Sequence, residues 1–256
     1  MHHTAFSYLP PADASTPWLI TPPHPAELEF WLFVSSSSGL YRGPFSMSQI
    51  QKTIILYVLT ALVLAAIFVA GRTMPLEEQK LFFSEQGWVE VLAAASFVLC
   101  AAYFAARPER LQLWPYTVLM LLFAARELDF DKRFTEVGVL KGSFLFSPLV
   151  PTHQKLAGGA ILVLAIYVLY WIVRHHALPF VKSLLKGDLA AVGWAIAVVL
   201  LVGSKAIDGL PRKAADFGLT VSTDVEILAW ALEEVMELGI GAYILIAAHH
   251  RLTQAR

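Results

Sequence analysis

Apolar runs of roughly one membrane thickness recur along the chain, and short polar stretches bearing prolines separate them. A helix needs about 20 residues to cross the roughly 30 Å hydrocarbon layer of a bilayer. Windows of that length place spans at 52–71, 88–106, 113–131, 156–174, 189–208 and 225–248. Pro75, Pro108, Pro148, Pro151, Pro179 and Pro211 fall between them, where a missing N–H disfavours continued helix. Trp88, Trp114, Tyr167, Tyr170, Trp171 and Trp194 sit near span ends, as amphipathic rings do at a membrane surface. The expected fold is all-α: a polytopic transmembrane helix bundle of about six spans, without an internal repeat, behind a disordered N-terminal extension.

That extension is residues 1–46. Pro10, Pro11, Pro17, Pro22, Pro23 and Pro25 break regular structure there, and Arg42 is its first basic residue, so no basic n-region opens a signal peptide. Met47, followed by Ser-Gln-Ile-Gln-Lys and a long apolar run, itself reads as a natural start. Residues 1–46 are therefore either a disordered extension or a mis-annotated start, and 47–256 form the transmembrane domain.

Composition agrees with the pattern. Of 256 residues, 57% are hydrophobic and only 15% charged, more apolar surface than a soluble domain of this size buries. The lipid bilayer is the expected partner. A net charge of −1 gives no clustered basic surplus for phosphates, which excludes a nucleic-acid partner. The single cysteine, Cys100, allows neither an internal disulfide nor a cysteine metal cage. Arg107, Arg110, Arg174, Lys182, Lys186, Arg251 and Arg256 lie in stretches almost free of acids and read as cytoplasmic. Both termini are then cytoplasmic, in a cell inner (plasma) membrane, and the mixed-charge loops are extracytoplasmic.

Charge inside the spans carries the chemistry. Leu113 to Ala125 is uncharged for only thirteen residues, about 20 Å of helix, after which come Arg126, Glu127, Asp129, Asp131, Lys132 and Arg133. Continued as helix, this stretch pairs Arg126 with Asp129 and Glu127 with Asp131. The last span holds Glu226, Glu233, Glu234 and Glu237, with Glu237 near mid-membrane, where a carboxylate costs about 2.5 kcal/mol or more unless paired, protonated or wet. Gly239 and Gly241 beside it suit close helix packing. Lys205 and Asp208 end the fifth span, and Glu85 and Glu90 open the second. Glu85, Glu90, Glu127, Asp129, Asp131, Asp208, Glu233, Glu234 and Glu237 face Arg126, Lys132, Arg133 and Lys205, nine acids to four bases. The surplus calls for a cation or for protons. A divalent cation is the cofactor this pattern could accept, with Asp129, Asp131, Glu237 and His153 as candidate metal ligands. His175, His176, His249 and His250 read as interfacial residues.

Several motifs are missing: H-E-x-x-H, glycine-rich phosphate loops, G-x-S-x-G and Cys-x-x-Cys. Three functions remain open. One is cation or proton binding and transport, with Glu237 as carrier. Another is a metal-dependent enzyme acting on a lipid or isoprenoid head group, with the basic residues gripping phosphate. The third is a non-catalytic membrane subunit or assembly factor, docked to a membrane-protein partner or to a second copy of itself.

Overall fold

A computed structural model describes residues 47–84 and 87–254, so the expectations for residues 1–46 and for Glu85 lie outside the described residues. The described chain is helical throughout its regular structure: α1 (Met47–Thr73), α2 (Leu76–Phe83), α3 (Trp88–Ala105), α4 (Arg110–Glu127), α5 (Phe130–Phe134), α6 (Thr152–Leu185), α7 (Leu189–Ile207), α8 (Leu210–Asp216) and α9 (Thr223–Gln254). Four stretches are long and apolar enough to cross a membrane: 49–73, 76–105, 152–185 and 189–207. The six windows read from sequence thus divide into four by length and composition. The other two, on α4 and α9, are too polar overall to qualify.

Burial runs opposite to hydropathy. The apolar windows of α1 and α6, the two most hydrophobic, are only 11% covered by the rest of the chain. Leu62 and Val63 on α1 and Val163, Ile166 and Leu169 on α6 stand exposed. In water such faces would drive association, since each square ångström of exposed apolar surface costs about 25 cal/mol. The most acid-laden long helix, α9, is instead the hub. It packs along α7, α3 and α1 and buries Glu237 together with Ile240, Tyr243 and Ile244. Apolar outside and polar inside is the arrangement lipid solvent selects.

Small residues make the hub possible. A Cβ on Gly241 would overlap Ser96 Oγ of α3, and one on Gly239 would come within 2.8 Å of Leu200 on α7 and 3.0 Å of Leu64 on α1. The core between these helices holds Tyr57, Phe97, Phe104, Met120, Ile240 and Ile244. Polar side chains along the α1–α9 seam are satisfied internally. Tyr243 donates to the Tyr57 carbonyl at 3.2 Å, and Tyr57 donates to the Leu189 carbonyl at 2.8 Å. Thr53 Oγ1 donates to the Gln49 carbonyl and lies 2.8 Å from His250 Nδ1, so the imidazole is the donor there. His250, read from sequence as interfacial, is buried. The Thr53–His250 contact also sets the start of α1 and the end of α9 at the same end of the bundle.

Two sequence boundaries move. Pro179 lies inside α6, which continues to Leu185; the ring removes one backbone bond, and an established helix survives one such loss. The third predicted span, drawn to Asp131, stops at Glu127. Asp129 adopts a left-handed backbone, φ 51°, which short polar side chains tolerate and which ends the α4 spiral before α5 begins.

Candidate functional site: an ion-paired carboxyl cluster

The turn at Asp129 decides the site. Because α4 ends at Glu127, the expected Arg126–Asp129 and Glu127–Asp131 spacings are not realised: the Asp129 carboxylate meets Lys132 at 2.9 Å, while Arg126 reaches across to α9. Arg126 Nη1 donates to Glu127 Oε1 at 2.5 Å and to Glu237 Oε1 at 3.0 Å. Two carboxyl groups thereby share one guanidinium nitrogen, and they lie within hydrogen-bonding reach of each other. The Asp131 side chain lies outside the described ones.

A second cation arrives from α7. Lys205 Nζ sits 2.7 Å from Glu237 Oε1, 3.6 Å from Glu233 and 3.5 Å from Asp208. Lys213 on α8 holds the end of α7 in place, donating to the carbonyls of Lys205 and Ala206 at 2.9 and 3.2 Å. Those carbonyls lack helical partners, and a cation suits the negative end of the helix. Glu237 is therefore gripped from two neighbouring helices. Its side chain is 4% exposed and that of Glu127 5%, whereas Arg126 and Lys205 are about one-third exposed, at 35% and 36%.

Glu90, in the first turn of α3, is buried and joins Glu127 in lining a cleft of about 40 Å³ with Val91, Leu128 and Arg133. That space holds about three or four waters, at about 10–15 Å³ each. Glu234 belongs to the same group, with the acids Glu237, Glu127, Glu90 and Glu233 acting on it. The structure thus brings Glu90, Arg126, Glu127, Lys205, Asp208, Glu233, Glu234 and Glu237 together. It leaves out Asp129, paired with Lys132, and His153, exposed in the first turn of α6. Among the described residues, no three of His, Cys, Asp and Glu converge as metal ligands would, so Asp129, Glu237 and His153 do not form a joint site.

The far end of the bundle has a different character. Trp114 of α4 packs on Tyr167 and Trp171 of α6, and Tyr116 packs on His176 and on Trp194 of α7. Arg107 lies over the Tyr103 ring and donates to its hydroxyl, which contacts His249 at 3.2 Å. Sequence reasoning missed the α1–α9 polar seam; its signal was Thr53, an uncommon hydroxyl near the start of an apolar helix.

Fold and site together define an all-helical bundle in which long apolar helices surround an acid-rich helix paired to basic residues on two others. No protein-family model, curated protein or solved structure matches the chain.

Proposed function

We propose that the chain crosses the bilayer six times, through α1, α3, α4, α6, α7 and α9, and that its carboxyl cluster is a proton-exchange site serving proton transport. The observation carrying this reading is that Glu127 and Glu237 share Arg126 Nη1 while Lys205 holds the same Glu237 oxygen. Glu237 Oε1 is already engaged by two cationic side chains. The cluster's remaining acids outnumber its bases, and the species that relieves such an excess without displacing Arg126 or Lys205 is a proton.

In this reading the cleft at Glu90 and Arg133 is the aqueous approach, on the extracytoplasmic side of an inner membrane, with both bundle termini cytoplasmic. Tyr243 lies six residues beyond Glu237, about 9 Å along α9, at the head of the polar seam toward the other face. Ile240 fills the intervening layer, so transport requires a second conformation that wets it.

A second reading has its own support, since the same ion pairs tie α4 and α7 to α9 and would hold a non-catalytic subunit in register. Flux separates the two. Purified protein in liposomes enclosing a pH-sensitive dye is expected to move protons under an imposed potential, and Glu127→Gln to slow this at least tenfold while the helical signal is retained. Wild-type liposomes no leakier than empty ones would overturn transport and leave the structural reading.

A further inference from the structure

Each acid of the cluster has a definite electrostatic position except one. Glu127 meets Arg126, Glu233 and Asp208 meet Lys205, and Glu237 meets both bases. Glu90 sits in the first turn of α3, where a negative charge is favoured by the helix dipole. Glu234 differs. Its Oε2 is buried without a hydrogen-bond partner, and among the described residues it joins no ion pair. Glu237, Glu127 and Glu90 across the cluster and Glu233 on its own helix all place negative charge on it, while Arg126 and Lys205 are engaged by Glu127, Glu233 and Glu237. An ionised carboxylate there would be desolvated, without an ion-pair partner and repelled by four neighbouring acids. A carboxylic acid is neutral, and its O–H can turn toward an adjoining carboxylate.

We propose that the exchangeable proton of the cluster resides on Glu234, and that Glu237, the carrier expected from sequence, is a fixed carboxylate held by Arg126 and Lys205. Release breaks the Glu234 O–H bond and passes the proton to a water oxygen, leaving a carboxylate; uptake is the reverse. Glu237 keeps the site anionic enough to retain the proton, and the two bases keep Glu237 from competing for it. The use of the proton rests on the transport reading, whereas its location rests on the geometry of Glu234 alone.

Dicyclohexylcarbodiimide, an apolar reagent, tests the location directly on the full chain in lipid at neutral pH. A protonated carboxyl adds across its C=N bond, oxygen to carbon and proton to nitrogen, and the acyl group then migrates to nitrogen as a stable N-acylurea that peptide mass spectrometry maps. Label on Glu234, and loss of the carboxylic-acid C=O infrared band in Glu234→Gln but not in Glu233→Gln, is the expected result. Label confined to Glu127 or Glu237, or an unchanged band in Glu234→Gln, would overturn it. Because glutamine copies a protonated carboxyl in shape and charge, a Glu234→Gln chain that fails to assemble would overturn it as well. Labelled Glu234 in a protein that conducts no protons would retain this assignment and sink transport.

Discussion

At Glu237 a single oxygen accepts from Arg126 and lies beside Lys205, so removing its charge leaves Arg126 with Glu127 alone and Lys205 with only the more distant Asp208 and Glu233. Glu237→Gln should therefore lose about 3 kcal/mol of stability, the low end for breaking a buried pair because both bases are one-third exposed. Thermal unfolding in detergent measures this, and Arg126→Gln should cost less, since Lys205 remains to balance Glu237. That Glu237 needs partners was legible in the sequence, because a charge within an apolar run has few places to go. Its partnership with Glu127 was not. The two are 110 positions apart, and they meet through Arg126 only because Asp129 takes a left-handed backbone and halts α4 at Glu127. Propensity reads that stretch as helix, since Asp tolerates the left-handed conformation without announcing it.

Among the elements, α9 organises the bundle. Hydropathy ranks it below α1, α6 and α7, yet it touches more of the bundle than any other described helix. Sequence periodicity found where it runs and flagged Gly239 and Gly241 as contact points. Which helices fill those contacts depends on tertiary packing. The overlap of a Cβ at Gly241 with Ser96, whose Cβ and carbonyl carbon would lie at 2.9 and 3.3 Å, leaves α3 and α9 no room to absorb even a methyl group. Gly241→Ala should destabilise the protein by about 1–3 kcal/mol, and adding Ser96→Ala, which removes the nearest atom, should restore part of it. Equal unfolding midpoints for Gly241→Ala and wild type would show that the two helices are not held this closely.

For the whole molecule, the inverted burial of α1 and α6 makes a labelling prediction. With Cys100 replaced by alanine, single cysteines at Leu62, Val63, Ile166 and Leu169 should react with apolar maleimides and resist charged, membrane-impermeant ones. Cysteines at Gln49 and Thr253, at the shared end of α1 and α9, should react with the impermeant reagent from one side of the membrane, and one at Glu77 from the other. Modification of Gln49 and Thr253 from opposite sides would contradict an even number of crossings between them. This much of the architecture followed from the apolar runs. The helices α4 and α9 fall outside a composition test, and their charged residues are matched by partners elsewhere in the chain, a property no local window contains.

The position of α9 in chain order has a bearing on how the bundle comes to exist. Glu237 follows Arg126 by 111 residues, an interval of roughly 5 to 20 s at ordinary rates of synthesis. Throughout that interval Arg126 and then Lys205 would sit at the membrane without the carboxylate they are built to hold, and α9 itself is too acidic to enter lipid readily before they are there to meet it. In the proposed six-span arrangement, insertion of the last helix and completion of the ion pairs of the earlier ones are a single event. Until it happens, Arg126 has only Glu127 and Lys205 only Asp208 as partners, and the further carboxylate on α9 gives the nascent bundle a reason to recruit that helix rather than disperse.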